Sequence, residues 1–113
     1  MRIPRDALLL RIFIGERDRH DGRPLHEAIV PGARAAGLAG ATVLRGPMGY
    51  GRSSRLHTAR ILRLSEDLPL VIEIVDAEDK IQGFPPALDA MMGSGLVTLE
   101  KVRVLRYGGD DQP

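Results

Sequence analysis

GPMGYGRSSRLHTARILRL, residues 46–64, divides the chain, and what stands on either side of it decides the fold. Gly46, Gly49 and Gly51 open the stretch, Arg52, Ser53, Ser54 and Arg55 follow, and His57, Thr58, Arg60 and Arg63 continue it without one acidic residue. Glycine lets a backbone come close to a ligand and adopt positive φ, hydroxyl and amide groups donate hydrogen bonds, and guanidinium forks match phosphate or carboxylate geometry. The stretch therefore reads as a long loop built to meet an anion.

Working back from the loop, Ala41 to Arg45 makes a short strand, and Leu8 to Ile14 alternates in the manner of a longer one, with Leu8, Leu10, Ile12 and Ile14 on one side. Between them Glu16 to Arg23 is a polar loop. Pro24 suits a first helical turn, and Leu25, Ala28, Ile29, Gly32, Ala33 and Ala36 form an apolar helical stripe that Gly37 ends. Pro31 removes one bond inside that helix and should kink it.

Working forward, Ser65 to Asp67 is a turn and Leu68 to Val75 a strand. Asp76 is placed to cap a second helix whose buried face is Ile81, Phe84, Leu88, Met91 and Met92, with Pro85 and Pro86 restarting it after a break near Gly83. Gly93, Ser94 and Gly95 stop it. Leu96 to Tyr107 reads as a last strand whose apolar parity switches, as a bulge near Glu100 and Lys101 would produce.

The order is β-α-β, loop, β-α-β: an α+β, ferredoxin-like split βαβ fold. One domain spans residues 1–107, with a flexible tail at 108–113. Right-handed crossovers put both helices on one face of a four-stranded antiparallel sheet. The strands are nevertheless apolar on both sides, with Leu9 and Phe13, Val71 and Val75, and Leu105 and Tyr107 opposing the helix-facing sets. A contiguous patch of that kind is rare on a soluble monomer, so a homo-oligomer packing sheet on sheet is expected.

Composition limits the function. At 113 residues, 43% of them hydrophobic and 27% charged, the chain is a single globular domain rather than a disordered one. A net charge of +1 gives no reason to expect a nucleic-acid partner, and the absence of cysteine removes disulfides, thiolate catalysis and cysteine zinc sites. With no 18-residue apolar run and no leader pattern at the start, a cytoplasmic location is expected.

Gly46 to Ser53 spells G-x-x-x-x-G-R-S, one lysine short of a P-loop, but a strand supplying magnesium ligands and a parallel sheet are missing. His20, His26 and His57 lack metal-ligand spacing, so no metal is expected, and structural or solvated roles account for them. Turn formation and helix capping account for Glu66, Asp67, Asp76, Glu78 and Asp79. No catalytic residue is assigned. Arg103 and Arg106, on the last strand, are solvated or reach a neighbour's ligand.

Residues 40–76, together with LRIFIGE (Leu10 to Glu16), PLHEAIV (Pro24 to Val30) and GLVTLEKVRVLRY (Gly95 to Tyr107), resemble the PII-like family called domain of unknown function 190 across nearly the whole chain. The resemblance implies a ferredoxin-like fold, a homotrimer similar to PII signalling proteins, nucleotides in clefts between subunits, and a long loop that contacts a partner. The family's glycine-rich segment matches Gly46, Gly49 and Gly51, and its following residues match Ser53, Ser54, Arg55, His57, Thr58 and Arg60. Gly93, Ser94 and Gly95 occupy the place of the PII phosphate loop, but this turn is shorter and lacks basic residues, so an adenine monophosphate or diphosphate is implied over a triphosphate. No cofactor other than such a ligand is implied. Association of relatives with fluoride-exporting membrane proteins implies a transporter or another protein as partner. Two further readings stay open: a small enzyme on a phosphorylated substrate with His57 as acid or base, and a trimeric scaffold without ligand.

Overall fold

In the computed structural model, which describes residues 3–51, 57–58 and 67–108 and only the backbone at 57 and 58, the alternating N-terminal stretch is the strand β1 (Asp6–Gly15). It is followed by β2 (Arg19–His20), β3 (Arg23–Pro24), α1 (Leu25–Ala35), β4 (Thr42–Arg45), β5 (Met48–Gly49), β6 (His57–Thr58), β7 (Pro69–Asp76), α2 (Glu78–Gln82), α3 (Pro85–Met91) and β8 (Leu96–Arg103). The main sheet has the order β4-β7-β1-β8, and every neighbouring pair is antiparallel. Two βαβ units interleaved in this order are the ferredoxin-like arrangement expected from the sequence.

The period-two pattern decides which face is buried. Leu8, Leu10, Ile12 and Ile14 of β1 and Leu70, Ile72 and Ile74 of β7 are buried together with Leu25, Ile29 and Ala33 of α1, Ile81 of α2, Leu88 of α3 and Phe84 between the two short helices. Helix α1 ends as its glycine demands: Gly37 has φ +83, its N–H donates to the Arg34 carbonyl, and the Leu38 N–H donates to Ala33. That pair of bonds is a Schellman motif. Pro31 lies inside α1 on its exposed side. The second helical stretch breaks where the prolines require it, with Pro85 opening α3 after Gly83.

Four expectations are corrected. First, β8 pairs with β1 residue for residue from Leu96↔Phe13 to Arg103↔Asp6, with no bulge. The parity switch arises because an edge strand far from the helices is exposed on both faces: Leu96 is exposed on one side, Val97 and Leu99 on the other. Second, the strand stops at Arg103, so Leu105 and Tyr107 are not part of the sheet; the Tyr107 hydroxyl instead donates to the Ala39 carbonyl at 3.4 Å. Third, Asp76 does not cap α2 through the free amides of its first turn. Fully buried at the end of β7, its carboxylate accepts from the Ala39 N–H at 2.9 Å and the Ala77 N–H at 2.7 Å, tying the turn after α1 to the start of α2. Fourth, Glu16 to Arg23 is not a plain loop. Asp21 (φ 50) and Gly22 (φ 79) make the two-residue turn of the β2–β3 hairpin, the Asp-Gly combination that tolerates two positive φ angles in succession.

Candidate functional site

Arg45↔Leu70, Gly15↔Pro69 and Phe13↔Leu96 are partners in register, so the last residues of β4 and β1 and the first residues of β7 and β8 gather at one end of the sheet. The arm of residues 46–66 leaves and returns there. The Gly46 N–H donates to the Pro69 carbonyl at 2.8 Å, and a Cβ at Gly46 or at Gly49 would stand 3.0 Å from Pro69 Cγ. Both glycines therefore have a packing reason of their own: the proline ring lies against the arm's backbone. None of the described residues stands within 4 Å of a Cβ placed at Gly51. Beyond the root, Met48↔Thr58 and Gly49↔His57 pair as the antiparallel β5–β6 ladder, so the arm begins as a hairpin, and Met48 and Tyr50 are exposed.

The turn after β1 grips both ends of this arm. Asp67 accepts from the Arg17 N–H at 2.8 Å, and the Glu16 N–H donates to the Leu68 carbonyl at 2.8 Å. Asp18 accepts from the Gly15 N–H at 2.9 Å, and a Cβ at Gly15 would meet the Asp67 carboxylate at 2.9 Å. Arg45, on the other end, forms an ion pair with Glu16. Read along the sequence, Arg45 belongs to a run of arginines without an acid; in space an acid from β1's turn reaches it.

Gly93, Ser94 and Gly95 lie at this same end of the sheet, on the β8 edge, whereas the arm leaves the β4 edge. Three strand spacings separate the two, roughly 14 Å. Gly95 has φ +127, and a Cβ there would stand 2.8 Å from the Phe13 carbonyl oxygen. Arg103 is at the opposite end of β8, paired with Asp6, and Arg106 lies beyond it. The length of the strand, roughly 23 Å at 3.3 Å per residue, keeps these two arginines from both glycine turns within one protomer. Arg52, Ser53, Ser54, Arg55, Arg60 and Arg63 lie outside the described residues, as do the side chains of His57 and Thr58. Sequence reasoning missed Glu16, Asp67 and Pro69 as the residues that seat the arm, because it is the pairing of Gly15 with Pro69 across the sheet that brings them together.

Among the described residues no cluster of His, Asp or Glu could hold a metal ion. His20 faces its neighbour Asp21 at 3.3 Å, and His26 faces Glu27 at 3.8 Å. No helix of the described residues is long and apolar enough to cross a membrane.

The helix-free face of the sheet borders this site. Across it runs the row Leu44, Val71, Phe13 and Leu96, beside charged residues among which Arg11 Nε donates to Glu73 at 2.9 Å and Arg11 Nη1 lies 3.7 Å from Glu100. Leu44 is 49% exposed and Leu96 56%, so the two ends of the apolar row stand open.

Residues 7–104, from β1 to just past β8, match the profile of DUF190, described as an uncharacterized ACR, COG1993. The chain is a member of the DUF190 family. A UPF0166 protein of Aquifex aeolicus is 39% identical over 99 residues, 86% of this chain and 91% of that one. A UPF0166 protein of Methanocaldococcus jannaschii is 33% identical over 101 residues, 88% of this chain and 93% of that one. Among solved structures, this DUF190 protein is similar to CPII, a nitrogen regulatory PII-like protein of Thiomonas intermedia K12. The structure of CPII with ADP, AMP and bicarbonate gives a TM-score of 0.61 at 20% identity, covering 89% of this chain and 90% of that one. The structure with ADP and bicarbonate gives 0.60 at 21%, with the same coverage. This likeness is one of fold: the DUF190 chain is PII-like in architecture.

Proposed function

We propose that this DUF190 protein is a ligand-sensing regulator of PII type that acts by binding rather than by catalysis. Three copies pack their helix-free sheet faces together. An adenine monophosphate or diphosphate sits in the cleft between protomers, and the arm of residues 46–66 carries the signal to a protein partner, a membrane transporter or another protein. The observation that carries this reading is the placement of two glycine turns at one end of the sheet but on opposite edges, in a fold that in CPII binds ADP and AMP. A gap of roughly 14 Å is too wide for one phosphate group to bridge inside a protomer. The β4 edge of one copy beside the β8 edge of the next closes it. The half-buried apolar residues Leu9, Phe13, Val71 and Val75 on the open face supply the surface on which copies associate.

For the arm to report a ligand, the ligand must prefer one arm state over another. Arg52, Ser53, Ser54 and Arg55, with Gly46, Gly49 and Gly51, are assigned to the ligand's anionic group, alongside Gly93, Ser94 and Gly95 from the β8 side; Arg103 and Arg106, expected from the sequence to join them, stand at and beyond the far end of that strand and are left out of this set. His57, Thr58, Arg60 and Arg63 are assigned to the arm's contacts with its partner. Titration calorimetry with AMP, ADP, ATP and cyclic nucleotides checks this. Saturable binding of AMP or ADP is expected, reduced at least tenfold in Arg52→Ala and Arg55→Ala; absence of heat across the whole panel removes the proposal.

A further inference from the structure

Arg45 is the last residue of β4, the point at which the chain leaves the sheet for the arm. Its side chain is 61% exposed, yet its guanidinium is turned onto the carboxylate of Glu16, whose side chain is 27% exposed. Glu16 belongs to the three-residue stretch Gly15–Arg17 whose backbone is bound to the other end of the arm, at Leu68 and Asp67. One carboxylate thus joins the arm's outgoing end to the turn that holds its returning end. The next residue, Gly46, is itself bonded through its N–H to Pro69.

A guanidinium fork that accepts a carboxylate accepts a phosphate in the same geometry. We propose that Glu16 is an internal competitor for the ligand's phosphate at Arg45. Binding exchanges the tethered carboxylate for the phosphate of a nucleotide, and in doing so releases the arm's outgoing end from the turn after β1, which stays bound to the returning end. The proposal rests on the reading that an anionic ligand meets the root of the arm, and it adds Arg45 to the residues that would hold it. A phosphate with a charge near −1.5 to −2 can displace a single carboxylate, and because exposed ion pairs are weak, Glu16 tunes the affinity by about two- to five-fold instead of blocking binding.

The test follows the Arg45 Nε–H and Gly46 N–H signals by nuclear magnetic resonance while ADP, and separately inorganic phosphate, is titrated into the assembled protein. In Glu16→Gln the midpoint for ADP should fall by about two- to five-fold relative to the unaltered protein. Glu16→Asp, which keeps the charge but withdraws the carboxylate by one methylene, should shift it the same way. Arg45→Met should abolish the response at Gly46. Tighter binding on removal of Glu16 is an effect that a merely structural role cannot produce, since a loosened fold binds less well. Unchanged or weaker binding in both Glu16 variants overturns the proposal. If ADP binds but Arg45 and Gly46 do not respond, the regulator reading stands and the competition is wrong. If ADP does not bind but the phosphate midpoint shifts with Glu16, the competition stands and the nucleotide reading is wrong.

Discussion

Gly93 and Gly95 are two positions apart in one turn, and a sequence reader assigns both to a phosphate. Their surroundings separate them. Gly95 combines φ +127 with a would-be Cβ 2.6 Å from Met92 Cε and 2.8 Å from the Phe13 carbonyl oxygen, whereas none of the described residues lies within 4 Å of a Cβ at Gly93. Side chains avoid that φ at a cost of about 1–3 kcal/mol, and a backbone oxygen cannot step aside as a side chain can. Gly95→Ala is therefore expected to lose about 3 kcal/mol or more in denaturant unfolding, and Gly93→Ala to stay within about 0.5 kcal/mol. Equal effects would show that the close approach to Phe13 is not what requires glycine. The residue types in this turn were legible; which glycine serves the fold depends on where β1's backbone passes, and that is a long-range fact. The same holds for Asp76. Its place before α2 suggested a helix cap, but its second oxygen is taken by Ala39, brought near only once α1 has folded over the sheet.

At the scale of elements, period and punctuation carried most of the reading. Alternation in β1 and β7, the stripe of α1, Gly37 at its end and Pro85 at the restart of α3 all act through neighbours within four residues, so sequence alone exposes them. The parity of β8 did not yield to the same logic, because its cause is the strand's position at the sheet's edge. The Asp21-Gly22 pair carries the chemistry of the β2–β3 turn, but the strands on either side are only two residues long, too short for alternation to mark a hairpin. Within α1, Pro31 leaves the Glu27 carbonyl without its helical donor on an exposed face, since proline has no N–H. Pro31→Ala restores that donor and is expected to raise stability by about 1–2 kcal/mol, the helix gain being partly offset by a freer unfolded chain. A loss of stability in thermal unfolding would mean that the ring makes contacts the helix needs.

For the whole molecule, the question is what covers the helix-free face. Its apolar row runs across all four strands, and the ion pair of Arg11 with Glu73 lies beside it, about one-third exposed on each side chain. Phe13 is central to that row and outside the buried cluster between sheet and helices. Phe13→Arg should thus leave the fold intact while separating the copies, because a cation at the centre of an apolar contact is desolvated without a partner. The apolar character of both sheet faces was legible in the strand sequences; the seat of the arm on Pro69 and Asp67 was not, since it joins residues brought together by β-pairing. Sedimentation equilibrium of the purified protein, beside Phe13→Arg, tests the account most directly. The mass of three chains, falling to one in the variant with its circular dichroism unchanged, is the predicted result; a single chain at micromolar concentration in the unaltered protein would contradict it.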